Sequence, residues 1–84
     1  MTNDELVEKL KAIVKPYVKD AEAFAAMNEG TDFLNDLKIN SANLVDVILD
    51  VETEFDIVID NESMERMLNV QAAIDIIRTK LSEK

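Results

Sequence analysis

Almost nothing in this chain interrupts a helix. Gly30 and Pro16 are its only glycine and its only proline among 84 residues. The rest is rich in Leu, Ile, Val, Ala, Glu and Lys, a composition that favours helices over turn-rich sheets. With 48% of residues apolar, the chain has enough to bury and is not compositionally disordered. Its length sets one small domain over 1–84, with a modest core and marginal stability.

The apolar spacing divides the chain into four principal helices. In the first, Leu6, Leu10, Ile13, Val14 and Tyr17 recur at helical intervals. Thr2 and Glu5 precede them in capping-box spacing, and Pro16 ends or kinks the helix near Val14. The stretch 17–39 is long for a connection in so small a domain. Within it, Asp20 is placed to cap a short helix over 21–27, which Gly30 stops. Thr31-Asp32-Phe33-Leu34 reads as a turn into a short helical piece, with Phe33, Leu34, Leu37 and Ile39 expected in the core.

The second principal helix runs from 41 to 55, with Asn40 or Ser41 as its N-cap. Leu44, Val47, Ile48, Val51 and Phe55 form its buried stripe. Ile57 and Ile59 follow in an extended connector. Asp60 or Asn61 then caps a short third helix with Met64, Met67 and Leu68 inward. Asn69 caps the last helix, whose stripe is Val70, Ala73, Ile74, Ile77 and Leu81. No strand pattern extends beyond 57–59. The expected fold is all-α, a small irregular four-helix bundle with a long loop after its first helix and a short third helix.

Charge narrows the partners. The formal net charge is −9, so nucleic acid and anionic membrane surfaces are poor partners and basic protein surfaces are good ones. Between Lys38 and Arg66 stand eight acidic residues and no basic one. With no Cys and no His, the chain offers no thiol nucleophile, no imidazole and none of the usual zinc ligands. Asp56, Asp60 and Glu62 invite a calcium reading. The run lacks the glycine that an EF-hand loop needs at its sixth position, so diffuse cation binding is expected instead of a metal site. No signal-like segment and no apolar run of about 18 residues occurs, so a soluble cytoplasmic protein is expected.

Two features bear on function. Each helical residue advances about 100°, which puts Ala42 and Leu49 on the face opposite the buried stripe and Val45 at its border. Asp46, Asp50 and Glu52 flank them. The pattern is that of a docking surface with apolar anchors and steering charges, although a solvated face with a stray leucine is also common. The other feature is Ser41 at the head of this helix. Helix capping, worth ~1 kcal/mol, is its ordinary role. A helix N-terminus also tolerates a phosphate, so Ser41 suits attachment of a phosphodiester. A hydrolase serine is excluded by the missing histidine.

Asn40-Ser41-Ala42, Leu44-Val45-Asp46 and Val51-Glu52-Thr53-Glu54-Phe55-Asp56 together resemble the modified-serine region of acyl carrier proteins. The likeness extends over Ile59-Asp60 and Val70-Gln71-Ala72-Ala73-Ile74-Asp75, and upstream over Thr31-Asp32-Phe33-Leu34-Asn35-Asp36-Leu37. The resemblance implies a non-catalytic, monomeric carrier. Ser41 would receive 4′-phosphopantetheine from coenzyme A through a phosphopantetheinyl transferase. The arm's thiol would hold acyl groups as thioesters for fatty-acid or polyketide-type enzymes with basic docking surfaces. Asp46, Glu52 and Glu54 match acidic positions of the family's partner-reading helix, Val45 and Leu49 its apolar positions, and Glu62 and Glu65 acids of its third helix. Asn40 and Ala42 depart from the family's usual Asp and Leu. Lys38-Ile39 stands where a glycine-containing turn is common. These departures point to a dedicated transferase and a specialised pathway, aromatic-polyene or polyketide-like, beside housekeeping fatty-acid synthesis. An unmodified adaptor for a basic enzyme, and a peptidyl or aminoacyl carrier, are the alternatives.

Overall fold

The computed structural model describes residues 2–83. These residues form five α-helices: α1 (Asn3–Val14), α2 (Ala21–Ala25), α3 (Ser41–Phe55), α4 (Asn61–Arg66) and α5 (Val70–Ser82). The four principal helices are those expected, and α2 is the short helix anticipated inside the long loop. Among the described residues there is no strand, only an isolated antiparallel bridge between Asp32 and Asn69.

A short polar side chain starts each helix. Thr2 accepts from Glu5 N–H at 3.2 Å, Asp20 from Glu22 at 3.0 Å, Asn40 from Asn43 at 2.8 Å, Asp60 from Ser63 at 2.7 Å and Asn69 from Ala72 at 2.8 Å. Each satisfies a donor that the helix itself leaves unpaired. Pro16 ends α1 as expected, sitting in a 3-10 turn over Lys15–Tyr17. α3 ends on Asp56 in the left-handed conformation, φ 54°, which lets the chain reverse into the connector.

One apolar cluster holds these helices together. Leu6, Leu10 and Val14 of α1 meet Val47, Ile48 and Val51 of α3 and Val70, Ala73, Ile74 and Ile77 of α5. α1 packs on both α3 and α5, and α4 packs on α5. Phe33, Leu37 and Ile39 from the long loop and Ile57 and Ile59 from the connector join the cluster, with Met27, Leu44, Phe55 and Met67.

Three local expectations are corrected. α2 stops at Ala25, before Gly30. That glycine has no positive φ, and it serves a polar turn in which Asn28 Oδ1 accepts its N–H at 2.8 Å. The segment at 31–37 is a turn, not a helical piece. Asp32 Oδ1 takes the N–H groups of Leu34 and Asn35, both at 2.8 Å, so the side chain replaces the helical carbonyl partners. Leu68 is 47% exposed instead of inward, because its backbone is committed to the loop: its carbonyl accepts from Phe33 N–H at 3.0 Å. Leu34 and Leu81 are half-buried.

Lys38 adopts φ 56°, a left-handed conformation that suits glycine, three residues before Ser41. Strain of about 1–2 kcal/mol is the ordinary cost for a residue with a Cβ. Glycine removes it but adds chain entropy to the unfolded state. Lys38→Gly is therefore expected to gain about 0.5–1 kcal/mol, roughly 2–8 °C in Tm, while Lys38→Val loses stability. Thermal melts followed by circular dichroism check both.

Candidate functional site

The site is built on α3. Asn40 is the cap, so the capping role that Ser41 might have filled belongs to its neighbour. Ser41 is the first helical residue, and it is exposed. No acidic side chain lies in the first turn of α3, although the helix is acidic from Asp46 onward. The N-terminal end therefore keeps its positive dipole uncompensated where the hydroxyl stands.

The expected docking residues fall into separate groups. Ala42, Val45, Asp46, Leu49 and Asp50 form one continuous exposed stripe, with Val45 44% and Leu49 51% exposed. Two exposed apolar anchors beside two carboxylates suit a partner that brings apolar and basic side chains together. Glu52 and Glu54 lie on opposite flanks of this stripe. Glu54 turns toward α1, where it pairs with Lys9 at 3.2 Å. Lys9 also lies over the Phe55 ring, 6.0 Å from its centroid. Glu52 turns the other way, is half-buried, and accepts from Ile59 N–H at 2.8 Å. On α4, Glu62 pairs with Arg66 at 2.6 Å and Glu65 is exposed.

Tyr17 was readable from the sequence only as part of the apolar stripe of α1. In the structure its hydroxyl donates to Asp50 Oδ2 at 3.2 Å, joining the 3-10 turn to the exposed stripe. Partial burial, then the nearby Asp50 and Asp46 carboxylates, raise the Tyr17 phenol above its ordinary value. It closes the 3-10 turn that follows α1, and from there its hydroxyl reaches α3. Among the described residues, no three His, Cys, Asp or Glu side chains gather as metal ligands do. No helix there is long and apolar enough to cross a membrane.

The chain as a whole is similar to known proteins in sequence and in fold. Over 82 residues the chain is 33% identical to an acyl carrier protein of Petrotoga mobilis, covering 98% of this chain and 94% of that one. The chain belongs to the acyl carrier protein family. It is also 32% identical, over the full length of both, to the acyl carrier protein of Coprothermobacter proteolyticus. A solved acyl carrier protein from Enterococcus faecalis superposes with a TM-score of 0.75 at 25% identity, covering 95% of this chain and 99% of that one. No family model matches the chain. This protein is an acyl carrier and not an enzyme: it presents intermediates and leaves their chemistry to others.

The start of α4 has its own electrostatics. Hydrogen bonding to the Ser63 N–H, aided by the Lys80 ammonium 3.7 Å away, lowers the Asp60 carboxyl below its ordinary 3.8. A lowered folded value stabilises the fold above the ordinary value, and that contribution is lost as pH falls through the folded one. The Tm gap between the native carrier and Asp60→Ala should thus be full at neutral pH and narrow below about 3.8, read by thermal melts across pH.

Proposed function

We propose that the carrier works through a 4′-phosphopantetheine arm on Ser41. The observation that carries this reading is the pairing of an exposed Ser41 hydroxyl with a separate cap. Asn40 starts the helix, so Ser41 can be esterified without loss of the α3 N-terminus. The surroundings fit a phosphodiester: the dipole end of a 15-residue helix, with no acidic side chain in its first turn. When bound, the arm supplies a terminal thiol, the group that a chain without cysteine lacks, to hold acyl groups as thioesters.

This chain's own residues do the rest. Ala42, Val45 and Leu49 form the apolar contact, and Asp46 and Asp50 orient basic partner groups around it. Glu62 and Glu65 on α4 extend the acidic rim. The partners are a phosphopantetheinyl transferase and acyl-processing enzymes with basic faces, of a fatty-acid or polyketide type. Such contacts are small and electrostatic, so binding is weak and salt-sensitive, which suits a carrier that must leave each enzyme. Asn40 and Ala42, where the family usually has Asp and Leu, favour a dedicated transferase and a specialised pathway.

Incubation with coenzyme A and a phosphopantetheinyl transferase should add one phosphopantetheine to the native chain and none to Ser41→Ala, read by intact mass. Both chains should keep the same circular dichroism spectrum. Asp46→Lys should slow loading by about 5- to 30-fold without changing the mass gained on loading, as loss of about 1–2 kcal/mol of steering and contact predicts. Equal loading of Ser41→Ala would place the arm elsewhere.

A further inference from the structure

Glu52 matches an acidic docking position in sequence, but its carboxylate is already occupied. Oε2 accepts the Ile59 N–H at 2.8 Å across seven residues of chain, in a half-buried setting. The main-chain carbonyl of the same residue accepts the Ile57 N–H at 3.1 Å. One residue of α3 therefore grips the connector at both of its buried isoleucines. Ile59 directly precedes Asp60, the cap on which α4 starts.

α4 needs such a grip. None of its own six residues is fully buried, and it packs on α5 without broad contact to α3. Its placement relative to α3 passes through the connector. Ile59 is itself 6% exposed, so its N–H requires an acceptor from the protein, and Glu52 provides it.

We propose that Glu52 is a positioning residue for the docking face, not a contact within it: its carboxylate oxygen latches the connector and sets α4 beside the exposed stripe of α3. That places Glu62 and Glu65 in register with Asp46 and Asp50. The consequence for partners rests on the docking reading above, whereas the latch stands on the hydrogen bond alone. What the latch uses is an oxygen at the right reach. A docking contact would use the charge.

Two variants separate these. Glu52→Gln keeps the reach and an acceptor oxygen and removes the charge. Glu52→Asp keeps the charge and shortens the reach by one methylene. Amide hydrogen exchange by NMR on the apo chain should show Ile59 within about threefold of native in Glu52→Gln and faster by about tenfold or more in Glu52→Asp. Amides of Leu10 and Ile74 report global stability and should not follow this pattern. The KM for transferase loading should split the same way, raised in Glu52→Asp and not in Glu52→Gln, with Asp46→Asn as the charge control. Unchanged Ile59 exchange in Glu52→Asp would overturn the latch. A KM raised in Glu52→Gln as much as in Asp46→Asn would return Glu52 to the docking face and overturn its role as a positioning residue only. If neither native chain nor variant is loaded while Ile59 behaves as expected, the latch stands and the arm on Ser41 is what fails.

Discussion

The hydrogen bond from Asn43 N–H to the Asn40 side chain decides where α3 begins, and the rest of the carrier is counted from that residue. With Asn40 as cap, Ser41 becomes the first helical residue. The helical step then fixes every other assignment. Leu44, Val47, Ile48, Val51 and Phe55 turn into the core, and Ala42, Val45, Asp46, Leu49 and Asp50 turn out. A start one residue later would leave Ser41 as the cap and tie its hydroxyl to the helix. Asn40 does the capping, and the adjacent Ser41 hydroxyl is left exposed.

The second constraint is the balance between core and charge. A net charge of −9 on a small chain opposes compaction. Three of the nine basic residues are placed where they offset it: Lys9 against Glu54 and the Phe55 ring, Arg66 against Glu62, and Lys80 between Asp60 and Glu83. These pairs are exposed or only half-buried and are individually weak. None of these pairs involves Asp46 on the exposed stripe, and the partner of Asp50 among the described residues is a neutral phenol. The acidic character of the exposed stripe therefore survives folding, while the flanks are partly compensated.

Much of this was readable in the sequence. The bounds of α3 and its two faces follow from apolar periodicity, a local signal, and the caps Asp20 and Asn69 were readable from equally local patterns. At α3 and α4 the sequence left two adjacent cap residues each, and the structure selects Asn40 and Asp60. What local patterns miss are side chains with two options. Asp32 diverts Leu34 and Asn35 from a helix into a turn, and Leu68 is held outward by a backbone bond to Phe33. Tyr17 fits the α1 stripe by spacing, but the 3-10 turn at Pro16 carries it to Asp50. Glu52 reads as a docking acid by position, while its reach to Ile59 exists only once the connector has folded back. The glycine-like turn at Lys38 was visible as a departure in sequence, and φ 56° gives it a physical form.

The central claim is that Ser41 carries the arm through which this acyl carrier works. The most direct test is the mass of the protein purified from its native host, with peptide mapping across 39–66. The account predicts a population carrying one phosphopantetheine on the peptide that contains Ser41, with the adduct lost on mild phosphodiester cleavage. A chain recovered wholly unmodified under conditions where its pathway is active would contradict it.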